Sequence, residues 1–473
     1  MFAPLVSADP EDHAASIVSD FDETLTEALE YTAALTPATF PTLMRDLDPL
    51  WIEEALETTG TATLRRRRLP ADRAVWLVLG MAVLRDWSIA TVVNQLELAM
   101  PTQSGIRTVA PSTVVKARAR LGADPLEVLF TRSGDEWAHA SAGRHRWREL
   151  ALYAVDGTTL RVPDSAENRA HFGSHAAGAG RGVSGYPLMR AVVLMAVRSH
   201  LLAAATFGPY AVDERTYARS LWSSVPDRSL VLVDRNFLQA SVLVPLMTDG
   251  HDRHWMTRTK STTEFRIIRN LGPGDDLVEM EVSHEARRKD PSLPTHFDVR
   301  AIRYHRKGYR PECLLTSMVD AARFPADEVR ALYHERWEIE LGFGEIKTEM
   351  LERLETIRSK SPVAVAQEMW GLLLVYNLVR LEMERIADDL GVAPTRISFV
   401  AALRLFVEFW LLGSKSLSPG ALPKQLAKMQ DRVRRFLLPP RRPERVFPRA
   451  VKIKMSNYAR KRPSGVSSTR AAK

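Results

Sequence analysis

Cysteine is nearly missing from this sequence, which has one, Cys313, in 473 residues. One thiol excludes an intrachain disulfide and any zinc site built from several cysteines. Long apolar runs are missing as well: the run Ala74–Leu84 ends at a basic residue, and the run after Arg190 is interrupted at Arg198. No membrane-spanning helix is therefore expected. The first residues continue into acidic sequence without a basic leader, which predicts a cytoplasmic protein.

Charge, by contrast, is abundant and unevenly distributed. The composition, 45% hydrophobic and 26% charged, is that of a globular protein, and the length allows about three domains. Residues 431–473 hold 14 Lys and Arg against two acids, a net charge of +12, whereas the whole chain carries +8, so residues 1–430 carry −4. This tail and a second basic cluster at Arg65–Arg68 favour nucleic acid as the partner. A solvated tail without a partner is the alternative.

The region 1–148 is predicted to be all helical. Helix starts are indicated at Pro70, Ser88 and Pro111, and apolar residues repeat at helical spacing after the first of them. Three short helices in this order permit a helix-turn-helix, whose last helix would direct basic side chains toward DNA. Those side chains are Lys116, Arg118 and Arg120. A plain helical bundle with an exposed basic face explains the pattern equally well.

The region 149–385 has a different hydrophobic period. Two continuous apolar runs, Leu150–Val155 and Leu230–Val233, predict buried strands, and an aspartate follows each of them, Asp156 and Asp234. Strands interleaved with helices imply a mixed α/β sheet. Because open α/β sheets bind ligands at the carboxyl ends of their strands, both aspartates are candidate functional residues. Acids after strands also serve as turn or cap residues, which is the alternative.

Further regions surround this predicted sheet. A strand-rich segment over about 256–320 predicts a β insertion, and helices resume at Ala326. The fold class is therefore α/β, a mixed sheet with a β-rich insertion between helical regions. The predicted division is a helical DNA-binding domain 1–148, an α/β domain 149–385, a helical region 386–440 and a basic tail 441–473.

A third acidic residue, Glu340, belongs to a predicted helix after Pro325. At about 100° per residue it shares a sector of about 60° with three polar neighbours. The residues of this sector are Tyr333, Arg336, Glu340 and Lys347. Other glutamates of the helix fall on another side, namely Glu335, Glu338, Glu345 and Glu349. The alternative is a simple i,i+4 ion pair between Arg336 and Glu340 with bystanders around it.

Asp156, Asp234 and Glu340, if brought together, would repel and raise one another's pKa unless a cation neutralised them. Hard oxygen ligands suit Mg²⁺ or Mn²⁺, which act in pairs on the attacking and leaving oxygens of a phosphodiester. The basic and hydroxyl side chains beside the glutamate would hold backbone phosphates. The implied chemistry is metal-dependent phosphoryl transfer on DNA.

The spacing along this helix resembles a family signature. The order is Tyr333, two residues, Arg336, three residues, Glu340, six residues and Lys347. This order is similar to the signature of the bacterial insertion-sequence-four transposases, DDE enzymes with a ribonuclease-H-like catalytic domain. Tyr153–Asp164 and Leu232–Phe237 resemble the blocks around that family's two aspartates, and Thr63–Pro70 resembles the N-terminal domain of one branch. The resemblance covers most of the chain.

The resemblance implies a complete reaction. Asp156, Asp234 and Glu340 would hold two divalent ions, Mg²⁺ with Mn²⁺ as a substitute, to cleave transposon ends and join them to target DNA. The implied partner is double-stranded DNA, bound by a homodimer in a synaptic complex and associated with the bacterial nucleoid. Some relatives form a DNA hairpin with a flipped base on an aromatic side chain. Trp255 and Trp337 are candidates for that role, with core packing as the alternative.

Two other functions remain open. A structure-specific nuclease would use the same metal site without strand transfer. A non-catalytic DNA-binding regulator would use only the N-terminal helices and the tail. A phosphatase with a nucleophilic aspartate two residues before Asp156 is disfavoured because that position is Ala154.

Overall fold

The computed structural model describes seven segments of the chain. They are residues 47–62, 67–100, 108–174, 185–305, 311–352, 357–413 and 422–439. The tail 441–473 and half of the basic cluster, Arg65 and Arg66, lie outside the described residues. The predictions about these parts therefore remain predictions.

Helices precede, interrupt and follow a single sheet in the described residues. The α-helices are α1 (Pro49–Thr58), α2 (Ala71–Val83), α3 (Ile89–Gln95), α4 (Pro111–Leu121), α5 (Asp124–Ser133), α6 (His139–Arg144), α7 (Ala166–Phe172), α8 (Glu214–Ser220), α9 (Ala240–Thr248), α10 (His284–Lys289), α11 (Ala326–Leu332), α12 (Trp337–Gly344), α13 (Pro362–Leu390), α14 (Phe399–Gly413) and α15 (Leu422–Arg434). The strands are β1 (Ala151–Arg161), β2 (Leu188–Ala196), β3 (Leu202–Pro209), β4 (Ser229–Val233), β5 (Arg253–Arg258), β6 (Arg266–Gly272), β7 (Asp275–Glu281), β8 (His296–Tyr304) and β9 (Glu312–Thr316).

The N-terminal helices begin where the sequence supplies starting residues. α2 follows Pro70 directly and carries Asp72 in its first turn. Ser88 caps α3, because its hydroxyl accepts a hydrogen bond from the Thr91 N–H at 3.1 Å. Pro111 is the first residue of α4, a position where proline costs no hydrogen bond. The three predicted helices are therefore confirmed.

The arrangement of these helices favours the helical bundle over the helix-turn-helix. Fifteen residues, 96–110, lie between the end of α3 and the start of α4, and 101–107 of them are outside the described residues. A helix-turn-helix joins its two helices by a turn of about three or four residues. Two basic side chains of α4, Lys116 and Arg120, are exposed. A basic face on a bundle of helices accounts for both observations.

Arg118 does not belong to that exposed face. Its side chain is buried, and its guanidinium donates to Gln367 Oε1 at 2.7 Å and to Ser359 Oγ at 3.0 Å. Burial lowers its pKa, although the nearby carboxylate of Glu368 opposes the shift. The guanidinium thus attaches α4 to the beginning of α13. The prediction that Arg118 faces DNA is wrong, because a basic residue in the sequence cannot be assigned to the surface by its charge alone.

The sheet has the strand order β3-β2-β1-β4-β5-β9-β8-β7-β6. β1 pairs antiparallel with β2 and parallel with β4, while β3 is antiparallel to β2 and β5 parallel to β4. Three antiparallel strands followed by two parallel ones form the ribonuclease-H-like arrangement that the resemblance implies. The predicted mixed sheet is confirmed.

The predicted β insertion extends this same sheet. β9 pairs antiparallel with β5, and β8, β7 and β6 continue outward in antiparallel order. The predicted turn at residues 306–308 lies outside the described residues. A buried ion pair fastens β8 to β7, because Arg300 Nε donates to Asp275 Oδ1 at 2.7 Å. The insertion is thus continuous with the central strands.

α13 is the core helix of the described structure. By length and composition it could cross a membrane, but 78% of its most apolar stretch is buried inside the protein. Its contact with α2 is close: a Cβ atom on Gly371 would lie 2.6 Å from Val78 Cγ1. Protein contacts therefore explain its apolar composition. Helices were expected in this part of the chain, but the long apolar stretch of α13 was not predicted.

Candidate active site

Asp156 and Asp234 lie at the same edge of the sheet. The parallel register of β1 and β4 pairs Val155 with Val233, and each aspartate is the next residue along its chain segment. Both side chains are half-buried and line one cavity of about 620 Å³. The buried strands expected before these two acids are present, but only β4 ends at its acid: β1 continues beyond Asp156 to Arg161, where it still pairs with β2. The topology therefore brings the two aspartates to one place.

The segment that carries Glu340 is not a regular α-helix. After α11 the chain forms a 3₁₀ turn over Tyr333–Arg336, continues as α12 and ends in a π-helical stretch, Glu345–Met350. A 3₁₀ helix has about three residues per turn, so side chains at i and i+3 are eclipsed. Tyr333 and Arg336 therefore lie one above the other. An even rotation of about 100° per residue does not describe this segment.

Tyr333 attaches the segment to the end of β4. Its hydroxyl donates to the Val233 carbonyl oxygen at 3.3 Å, and Val233 is the residue before Asp234. Burial raises the pKa of the Tyr333 hydroxyl, so the group remains a donor at neutral pH. Lys347 lies in the π-helical stretch and is half-buried. In this structure Tyr333 thus positions the glutamate-bearing segment against the aspartates.

Arg336 connects the glutamate with the first aspartate. Its side chain is only 6% exposed, and its guanidinium donates to Glu340 Oε1 at 3.0 Å. The i,i+4 ion pair considered from the sequence is therefore present. Arg336 also lowers the pKa of Asp156 through its charge. Arg336 therefore acts on two carboxylates, because its charge also influences Asp156 on β1.

The environment of Asp156 holds excess negative charge. Burial is the main reason that the pKa of Asp156 is raised to about 7, and the carboxylates of Glu214 and Asp234 raise it further. The Gly157 N–H, which donates to Asp156 Oδ1 at 2.8 Å, and Arg336 oppose the rise. A buried carboxyl group beside other carboxylates is favourable for binding a cation.

Several residues of the cavity were not predicted from the sequence. They include Glu214, Asn236, Lys260, Ser261 and Thr262. Glu214 begins α8 after β3, and β3 runs parallel to β1 because both are antiparallel to β2. Its position near the two aspartates depends on the order of β3, β2 and β1 in the sheet, which the sequence pattern does not show. Lys260 belongs to a loop after β5, for which the sequence offers no signal.

Comparison with known proteins shows the family of this chain. Residues 37–131 match the family described as "Insertion element 4 transposase N-terminal", and residues 147–378 match "Transposase DDE domain". The chain is 39% identical over 414 residues to the transposase InsG of insertion sequence element IS4 from Escherichia coli K12. That alignment covers 87% of this chain and 92% of the relative. The chain belongs to the insertion-sequence-four DDE transposases.

A solved transposase structure also aligns with this DDE transposase over most of its length. It is the cryo-EM structure of a piggyBac transposase synaptic complex with hairpin DNA, with a TM-score of 0.39 and 12% identity. The alignment covers 84% of this chain and 86% of the piggyBac chain.

The donor chemistry of the transposase site fits a hard divalent cation. Asp156 and Asp234 offer carboxylate oxygens in one cavity, and the buried charge around Asp156 needs compensation. Across the part of the chain that the structure describes, no group of three or more His, Cys, Asp or Glu side chains is already arranged to hold a metal ion. The carboxylate of Glu340 is instead engaged by Arg336.

The two tryptophans considered for base stacking occupy opposite environments in the transposase. Trp255 is fully buried on β5, so it is a core residue and has no face available to a base. Trp337 is 42% exposed at the start of α12, and the Arg336 guanidinium carbon lies 5.7 Å from its ring centroid. Of the two, Trp337 alone has the exposure that stacking requires.

Proposed function

We propose that this transposase acts by cut-and-paste recombination and that Asp156, Asp234 and Glu340 are its catalytic carboxylates. The observation that supports this proposal is that the two aspartates each follow the last paired residues of the neighbouring parallel strands β1 and β4, beside the segment that carries the glutamate. These three residues would hold the divalent cations, with Mg²⁺ as the natural ion and Mn²⁺ as a substitute. The bound ions supply activation of water and stabilisation of the departing 3′ oxygen.

The other side chains of the segment contact DNA phosphates in this proposal. Arg336 has the planar fork that suits phosphate oxygens, and its position between Glu340 and Asp156 would align a phosphate with the carboxylates. Lys347 supplies a second positive charge later in the same segment. Tyr333 contributes a hydroxyl whose present bond to Val233 fixes the segment. Arg336 and Lys347 would thus hold the scissile strand, whereas the buried Tyr333 would fix the segment that carries them.

The proposed partners are transposon end repeats and target DNA, held by a homodimer in the synaptic complex, in the cytoplasm at the nucleoid. The exposed Lys116 and Arg120 of α4 are proposed DNA contacts of the N-terminal region. The basic tail supplies a further surface for DNA from its composition. Light scattering with and without end DNA measures whether a dimer forms.

The function is tested by cleavage of a supercoiled plasmid that carries the element's flanking DNA, in Mg²⁺. We compare wild type with Glu340→Ala, and with Glu285→Ala on α10 as a matched control. Wild type and the control are expected to nick at the element ends and to yield joined products. Glu340→Ala is expected to bind DNA normally and to lose cleavage by at least about 1000-fold.

Other outcomes identify the alternatives. Cleavage without joined products indicates a structure-specific nuclease. DNA binding without cleavage by wild type, in Mg²⁺ and in Mn²⁺ and with several end sequences, indicates a non-catalytic regulator. Cleavage that survives in Glu340→Ala contradicts the assignment of that glutamate.

A further inference from the structure

Glu214 lies between the chain segments that follow Asp156 and Asp234. It is the first residue of α8, and the preceding strand β3 ends at the same edge as β1 and β4. The start of α8 is fixed, because the Asp213 carboxylate caps it by accepting the Arg215 N–H at 2.8 Å. The backbone that carries Glu214 is therefore fixed by this cap.

One side of the Glu214 carboxylate rests against the backbone after Asp156. A Cβ atom at position 157 would lie 2.7 Å from Glu214 Cδ and would overlap with Oε1. The absence of a side chain at Gly157 thus permits this close approach, and a side chain there would displace the Glu214 carboxylate. Its N–H donates to Asp156 Oδ1 at 2.8 Å, so the backbone that Glu214 touches is the backbone that orients Asp156.

The other oxygen of Glu214 is bound by the segment after Asp234. Asn236 Nδ2 donates to Glu214 Oε2 at 3.1 Å. Asn236 lies in a short 3₁₀ turn that begins directly after Asp234, and the Phe237 N–H closes this turn on the Asp234 carbonyl oxygen at 3.0 Å. A displacement of Asn236 would therefore displace Asp234.

We infer that Glu214 is a positioning residue of the active site, which connects the segments after Asp156 and Asp234 and sets the relative placement of the two aspartates. The inference rests on the proposed function, in which those aspartates hold a divalent cation. Side chains that orient metal ligands without binding the metal commonly change metal affinity by about 10 to 100-fold when they are removed. Glu214 would act in this way, through Gly157 and Asn236.

The test measures binding of Mn²⁺ alone to the full chain without DNA, by electron paramagnetic resonance. The variants are Glu214→Ala, Glu214→Gln and Asn236→Ala. The matched control is Glu167→Gln, since Glu167 is also a first-turn glutamate of a seven-residue helix and is exposed. Thermal unfolding is recorded for each protein, so that a loss of affinity is read only where the fold is retained.

We expect Glu214→Ala to weaken Mn²⁺ binding at least about 10-fold. Glu214→Gln keeps an oxygen that accepts from Asn236 and is expected to remain within about 3-fold of wild type, while Asn236→Ala shifts affinity in the same direction as Glu214→Ala. Because Asn236 is exposed, its variant also serves if Glu214→Ala does not fold. Single-turnover cleavage in Mg²⁺ with saturating DNA follows the same order.

Three results overturn the inference. Wild-type affinity in both Glu214→Ala and Asn236→Ala removes any positioning role. A loss in Glu214→Gln as large as that in Glu214→Ala, with Asn236→Ala unchanged, shows that Glu214 acts by its charge. Absence of Mn²⁺ binding by wild type, or binding that survives Asp156→Asn, contradicts the proposed function and the inference with it. The first two results contradict only the positioning role of Glu214, so the two failures can be distinguished.

Discussion

Lys116 and Arg118 lie two residues apart on α4, yet we expect their substitutions to have different effects. Arg118→Ala leaves the buried Gln367 and Ser359 without their guanidinium partner, which costs about 2 to 3 kcal/mol of the free energy of unfolding. Lys116→Ala changes an exposed side chain and alters stability by less than about 0.5 kcal/mol. Urea unfolding measures both, and filter binding measures DNA affinity. A stable Arg118→Ala protein with weakened DNA binding would contradict the buried role.

Arg336 is expected to be essential for cleavage because it contacts Glu340 and influences Asp156. Arg336→Ala should slow end cleavage by about 100-fold or more, which is typical for removal of a charge-stabilising donor. Arg336→Lys retains a positive charge but not the planar fork, so an intermediate rate is expected. Arg330→Ala, on the preceding helix and paired with Asp327, is the control. Equal single-turnover rates for wild type and Arg336→Ala would refute this role.

Single residues also mark how far the sequence alone predicts the site. Asp156 and Asp234 could be predicted, because an apolar run followed by an acid is a local pattern. Glu214 was missed, because its importance depends on three strands lying in a particular order. Arg118 was misassigned, because its partners are about 240 residues away along the chain. Local patterns identify residue types near strand ends, whereas contacts between distant segments decide their roles.

At the scale of elements, two of the glutamates on the other side of the Glu340 segment, Glu338 and Glu345, belong to a buried network. His200 Nε2 lies 2.8 Å from Glu338 Oε2, and Arg380 of α13 is paired with Glu345. Tyr376, also of α13, donates its hydroxyl to Glu345 Oε2 at 2.8 Å. This network fastens the segment to the turn after β2 and to α13. A rotation of about 100° per residue places Glu338 and Glu345 away from Glu340. It does not show that both carboxylates are bound by other side chains.

The network predicts a pH dependence of stability. Burial alone would raise the pKa of Glu345, but Arg380 and His200 outweigh it and lower the pKa to about 2. The stabilisation is fully present above the unfolded pKa, near 4.5, and is lost as the pH falls toward 2. Between pH 6 and pH 3.5, wild type should lose about 1 kcal/mol more than Glu345→Gln in urea unfolding. Glu349→Gln, in the same π-helical stretch, should follow wild type, and parallel pH curves for wild type and Glu345→Gln would contradict the network's role.

Most of the helices and strands expected from the sequence are present, but the irregular turns within them were not predicted. Helix starts and strands follow local signals such as the Ser88 cap and the apolar run before Asp156. The 3₁₀ turn and the π-helical stretch around Glu340 could not be recognised in the sequence. They are short, and the apolar residues around them are spaced as in a regular α-helix. Their geometry depends on neighbours such as Val233, which binds Tyr333.

At the scale of the whole molecule, the N-terminal helices and the catalytic region share one hydrophobic core. Val78 of α2 lies against Gly371 of α13, and Arg85 donates to the buried Glu368 at 2.8 Å. The division of the chain at residue 148 is a statement about sequence pattern and remains a prediction. A boundary at residue 148 does not divide the hydrophobic core into two parts. The reason is that α13, which lies far along the chain, packs against α2.

The basic tail is expected to determine much of the salt dependence of DNA binding. Residues 441–473 hold 11 Lys and Arg and a single acid. Each phosphate that such a residue neutralises releases a counterion, so log K falls with log salt by about 0.9 per contact on double-stranded DNA. A protein without residues 441–473 should bind all DNA sequences more weakly and show a smaller slope, because this contribution does not depend on base sequence. A full-length chain with the tail's Lys and Arg changed to Gln controls for chain length and should behave like the truncated protein. If the slope between 50 and 200 mM salt were unchanged on both random and end-repeat DNA, the tail would not contact DNA, and the positive charge that drives binding would have to reside in the folded part of the chain.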